Sequence, residues 1–125
     1  MSPLELREEG DLPVGLELDG EVHTRYVLRA GTMADYLEVE ASGMKAKGDW
    51  HMNVALLARQ LVALGGLTRQ QICVANLKRL TMVDVVALMG AVKRLEGRLR
   101  TFRGGPADTG NAQDDVGPGS QDGME

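Results

Sequence analysis

Three side chains in this sequence, His23, His51 and Cys73, could ligate a borderline metal or serve as base or nucleophile. A zinc site needs three or four such ligands converging on one point. His23 falls in a stretch of alternating polarity, His51 near the start of a helical pattern and Cys73 inside an apolar run, so the sequence brings none of them together. Asp49 and His51 could orient one another toward a hydroxyl, but a capping aspartate and a surface histidine account for both. Gly65-Gly66 closes a helical pattern and lacks the lysine of a phosphate-binding loop. This pattern offers no catalytic residue, no metal site and no cofactor site. It points to binding rather than turnover.

The elements that would position any site begin with "LELDGEVHTRYVLR", residues 16–29, where polar and apolar side chains alternate around Asp19-Gly20. That pattern is a strong hairpin signal. A two-residue turn would set Leu18 opposite Glu21 and Leu16 opposite His23, which mixes the faces. A three-residue loop of Leu18, Asp19 and Gly20 instead pairs Leu16 with Val22, Val14 with Thr24 and Leu12 with Tyr26. The expected core face is then Leu16, Val22, Tyr26 and Leu28, with the turn at Asp19 and Gly20. An isolated hairpin is marginal, so helices or a partner must cover that face.

Helix signals follow. Thr32 with Asp35 opens "MADYLEVEA"; Asp49 is placed to cap a helix running through Leu64, with Val54, Leu57, Leu61 and Leu64 on one stripe. Thr68 with Gln71 and Thr81 with Asp84 form two further capping boxes. The last helix is the longest. Val85, Leu88, Val92, Leu95, Leu99 and Phe102 recur at the 3,4 spacing of a coiled-coil seam. Met82, Val86 and Met89 broaden its first half, which is expected to be wrapped by the other helices. Its second half, flanked by basic residues, is expected to project. Val92, Leu95, Leu99 and Phe102, with Arg94 and Arg98, are its candidate partner-binding residues. Packing along the helix's whole length is the competing expectation from the same periodicity.

These elements give an α+β, mainly α fold: an N-terminal β-hairpin, a small bundle of about four helices with the last one long, and a disordered C-terminal tail. The boundaries expected are a flexible segment 1–11, a single domain 12–103 (hairpin 12–29, helical body 32–103) and an acidic Gly-rich tail 104–125. Aromatics make up 3% of the chain, so the core must be aliphatic and Met-containing. The lone cysteine excludes an internal disulfide and suits a reducing compartment. No apolar run approaches the length of a membrane span, and the first residues do not read as a signal peptide, so the cytoplasm is expected.

Charge is segregated along the chain. Residues 1–57 carry 5 Lys/Arg and 11 Asp/Glu, residues 58–103 carry 9 and 2, and the tail has 5 acids and no base. Opposite fields in one chain favour head-to-tail contacts within or between molecules, homo-oligomers among them, over a uniformly basic nucleic-acid surface, the competing expectation being solvated faces that merely differ in sign. Residues 68–94 could form a helix-turn-helix, the alternative being a small regulatory or adaptor domain binding protein or DNA. Its second helix would offer Met82, Val83, Asp84, Val85 and Val86 to base edges, which is the wrong chemistry for readout. Nucleic acid is therefore a minor alternative.

The order "GLELDGEVHTRYVLRAGTMADYLEVE" then "ALLARQLVALGGLTRQQICVANLKRLTMVDVVALMGAV" resembles the tail assembly chaperones of long-tailed phages and prophages, especially the Mu-like and P2-like contractile group. The resemblance spans roughly Leu12 to Leu99, about a whole domain of this size. It rests on a strand pair around Asp19-Gly20, on Leu28-Arg29 ending the second strand, on Thr32 with Asp35 opening the next helix, and on Leu80 with Asp84 before the last. Where the family often has an acidic residue and a proline after Leu-Arg, this chain has Ala30-Gly31. The resemblance implies a non-enzymatic protein of the host cytoplasm, absent from the mature virion. Such a protein binds the tape measure protein, keeps it soluble and helps recruit tail tube subunits.

Overall fold

Asp19 and Gly20 both have positive φ, 55° and 81°, which is the geometry of a two-residue type I′ turn. They join β1 (Arg7–Leu18) to β2 (Glu21–Arg29) in the computed structural model, which describes residues 2–103. The three-residue loop expected from the sequence is therefore corrected: Leu18 pairs with Glu21, Glu17 with Val22 and Leu16 with His23. Further down the hairpin Asp11 pairs with Arg25, so the four residues from Leu12 to Gly15 stand opposite Thr24 alone. This wide bulge sorts the faces that the short turn would otherwise mix. Leu12, Leu16, His23, Tyr26 and Leu28 are buried, whereas Val22 is 60% exposed. Val22 is thus not a core residue, and His23 takes the place expected for it. Gly15 permits the bulge: its φ is 102°, and a Cβ there would collide with the side chains of Val22 and Thr24.

The hairpin also starts earlier than expected. Arg7 to Asp11 pair with Arg29 to Arg25, and a 3-10 turn at Pro3–Glu5 with a Ser2/Glu5 capping box precedes them. In place of a flexible segment 1–11 there is a turn and then strand from Arg7.

Thr32 and Asp35 form the reciprocal capping box expected for α1 (Met33–Ala41). A 3-10 turn, Met44–Lys47, leads to α2 (Asp49–Gln60), whose cap is Gly48 at φ 121° rather than Asp49. The helix does not reach Leu64. It stops at Gln60, and Leu61–Leu64 form β3, antiparallel to β2 with Leu28 opposite Leu61 and Tyr26 opposite Leu64, giving the sheet order β1-β2-β3. The free edge of β2 explains the switch: it offers a ladder of backbone partners and lets Leu61 and Leu64 both become fully buried. Arg69 secures it, donating to the carbonyls of Ala58 and Leu61 that the end of the helix leaves open.

The Thr68/Gln71 box opens a 3-10 turn, Arg69–Gln71, and α3 (Val74–Leu77) is a single turn begun by the half-buried Cys73. α4 (Met82–Arg100) buries Asp84, Val85, Leu88, Ala91 and Leu95. A smaller core of Val39, Met52 and Ala55, flanked by Met44, Leu56 and Val74, joins α1 and α2. The described part of the chain up to Leu95 clusters as one compact unit. Leu95 is the last buried residue of α4; from Glu96 to Arg103 every residue is half-buried or exposed. The acidic tail expected over 104–125 lies outside the described residues.

Candidate functional site

A dense set of hydrogen bonds converges on Asp35, the third residue of α1. Its carboxylate accepts both arms of the Arg29 guanidinium at 2.8 and 2.9 Å, Arg59 Nε at 3.0 Å and the Thr32 amide at 2.9 Å. The Arg29 fork foremost, with the Thr32 amide and Arg59 adding to it, holds the Asp35 carboxyl well below the usual carboxylate range against the opposing effect of burial. Arg29 in turn holds its proton more tightly than an isolated guanidinium. Arg29 ends β2 and Arg59 lies in the last turn of α2, so one carboxylate ties strand, α1 and α2 together. Gln60 completes the junction by donating to the Arg29 carbonyl at 3.1 Å.

A recess of about 300 Å³ opens beside this network, lined by Arg29, Arg59 and Arg69. A shallower apolar recess of about 110 Å³ lies between Trp50, His51, Val54 and Val74. No group of three or more His, Cys, Asp or Glu among the described residues is placed to hold a metal ion. His23 is buried against Gly65, where a Cβ would overlap its ring, and its Nδ1 accepts the Gly66 amide at 3.2 Å. His51 is exposed and Cys73 half-buried on other elements. No family model, curated protein or solved structure matches the chain.

The residues proposed from sequence as partner contacts divide. Leu95 is 1% exposed and belongs to the core, so it cannot serve as part of a projecting arm. Arg94 donates to Glu8 at 3.0 Å, which raises its pKa, and reaches the Tyr26 hydroxyl at 3.5 Å, so it ties α4 to the sheet. Val92 is half-buried. Arg98 is exposed, Leu99 and Phe102 are half-buried, and Arg103 lies over the Phe102 ring at 5.2 Å. Of the hairpin face, Leu16, Tyr26 and Leu28 are buried as expected and Val22 is not.

The first half of α4 reverses its expected role. Met82, Val83 and Val86 are 58%, 58% and 62% exposed rather than wrapped by other helices. Asp84 explains this: its carboxylate must turn inward to reach the bulge of β1, which rotates the Met82 and Val86 side of the helix outward. A second exposed stripe, Met33, Tyr36 and Leu37, lies on α1 at i, i+3, i+4 spacing because Asp35 and Val39 face inward. Its neighbours Glu38 and Glu40 are acidic. No signal in composition or periodicity marks these stripes as exposed. Their direction depends on where two aspartates find partners.

Among the described residues no helix is long and apolar enough to cross a membrane. α3 is too short to serve as the first helix of a helix-turn-helix, and the exposed start of α4 is aliphatic.

Proposed function

We propose that this protein is a tail assembly chaperone of a long-tailed phage or prophage. It acts without catalysis in the host cytoplasm, binds the tape measure protein, keeps it soluble, helps recruit tail tube subunits and is absent from the finished virion. The observation that carries a binding function is the pair of exposed apolar helix stripes, Met33/Tyr36/Leu37 and Met82/Val83/Val86. Side chains at that spacing on a helix surface suit a partner helix laid against them, and methionines adapt to varied partner sequences. Large apolar side chains grouped on a surface mark interaction sites more often than scattered ones do. The choice of tape measure protein as partner rests on the resemblance at Asp19-Gly20, Leu28-Arg29, Thr32/Asp35 and Leu80/Asp84. The opposite charges of the two halves of the chain are consistent with a homo-oligomer spread along a long partner.

The test is co-expression with the tape measure gene of the same genome, scoring tape protein left in the soluble fraction. Leu37→Glu and Val86→Glu change exposed residues, so each should leave the melting temperature nearly unmoved, a change within about 0.5 kcal/mol. Both together should lower soluble tape protein about tenfold, as expected when contact residues at an interface are lost. Full solubilisation by the folded double variant would overturn the assignment of these stripes. A wild-type protein that neither co-purifies with the tape measure protein nor solubilises it would overturn the function.

A further inference from the structure

We propose that the recess lined by Arg29, Arg59 and Arg69 is a binding site for a single ionised carboxylate. Three guanidiniums supplied by β2, α2 and the Arg69–Gln71 turn line one recess of about 300 Å³, near the lower end of the range for small-ligand sites. Their structural duties leave donors over. Arg29 spends Nη1 on Asp35 and the Ala30 carbonyl and one Nη2 proton on Asp35. Arg59 spends Nε on Asp35 and Nη1 on Glu38. Arg69 spends its two terminal nitrogens on the carbonyls of Ala58, Leu61 and Ile72. Among the described residues this leaves Arg29 Nε, Arg59 Nη2 and Arg69 Nε without a protein acceptor. A guanidinium carries five donors and no acceptor, so these positions call for an acceptor, and an anion is the one that also answers the charge.

Charge decides which anion. The three positive side chains are opposed by the buried Asp35 and by Glu38, paired with Arg59 at 3.0 Å. One positive charge remains, which one carboxylate neutralises. A phosphate dianion would overshoot it and meet the repulsion of Glu38. Planar guanidinium edges also match carboxylate oxygens in pairs. The carboxylate could be a free organic acid or an acidic side chain of a bound polypeptide. The site stands on its own geometry and does not depend on the exposed stripes of α1 and α4.

The experiment titrates the full-length, 15N-labelled protein at constant ionic strength and reads the arginine Nε–H signals. Acetate and a blocked Gly-Gly-Glu-Gly-Gly peptide are the two probes, with chloride as control and inorganic phosphate as challenger. Saturable movement of the Arg29 and Arg69 signals with acetate or peptide, and not with chloride, is the expected result. Tighter binding of the peptide would identify a polypeptide side chain as the natural ligand, and tighter binding of acetate a free acid. Arg59→Gln keeps the two-armed Arg29–Asp35 pair, and should weaken either probe about tenfold, the loss of one charge-assisted contact. If that variant does not fold, the wild-type titration still decides. Equal shifts in chloride, no saturation with either carboxylate, or phosphate binding more tightly than both would overturn the proposal.

Discussion

Asp35 and Asp84 occupy the same place in the same motif, the third residue after a capping threonine, and both are almost fully buried, yet they are satisfied in opposite ways. Asp35 keeps its carboxylate for cations: Arg29 and Arg59 meet it, and it returns a bond to the Thr32 amide. The Asp84 amide donates to the Thr81 hydroxyl oxygen at 3.3 Å, but its carboxylate reaches across the molecule and accepts from the amides of Val14 and Gly15 at 2.9 and 2.8 Å. The first joins charged side chains that are partly exposed. The second fastens the bulge of a strand to a helix seventy residues away with no counter-charge among the described residues. A Thr-x-x-Asp pattern predicts that a helix begins, and says nothing of what the carboxylate does once tertiary partners are within reach.

The contrast predicts unequal costs. Asp84→Ala strands two amides at a bulge that sets the hairpin register, and two hydrogen bonds to a charged group are together worth about 3 kcal/mol or more. Of the two aspartates it should give the larger loss in chemical denaturation. Asp84→Asn, which keeps one acceptor oxygen, should recover part of it. A loss below about 1 kcal/mol for Asp84→Ala would show that the bulge holds without its clamp.

Asp35→Ala should cost less, about 2 kcal/mol, because Arg29 and Arg59 are partly exposed and can turn to water. Its signature is a dependence on pH. Asp35 has a folded pKa depressed below its ordinary 3.8, so its contribution is complete above the unfolded value and is lost as pH falls below about 4 toward the depressed one. Melting temperature should decline through that window in the wild type and more shallowly in Asp35→Asn. Parallel curves would show that the guanidinium cluster does not stabilise the folded state through Asp35.

Local chemistry was legible where it acts over a few residues. The position of the turn at Asp19-Gly20, though not its two-residue length, the Thr32/Asp35 and Thr68/Gln71 boxes and the long last helix all follow from neighbours along the chain. What escaped depends on residues far apart. Leu61–Leu64 reads as helix because its leucines continue the stripe of Leu57, and becomes strand because β2 offers an edge and Arg69 takes the open carbonyls. The start of α4 reads as wrapped because it is apolar on two sides, and one of those sides is exposed because Asp84 points the other way. The arginine recess had no sequence signal at all, since Arg29, Arg59 and Arg69 share no motif and meet only through the sheet.

Val22 gives the smallest effect and the sharpest test of the bulge. With the three-residue loop Val22 would face Leu16 in the core, and Val22→Lys would bury a charge at severe cost. With the observed register it stands beside Glu17, 60% exposed, and the same substitution should change stability by no more than about 0.5 kcal/mol. Leu28→Lys is the internal control, since Leu28 is fully buried in either register and its replacement should prevent cooperative unfolding. Equal damage from both would mean that Leu16 meets Val22 after all, and that the Asp84 clamp on Val14 and Gly15 does not set the pairing of the strands.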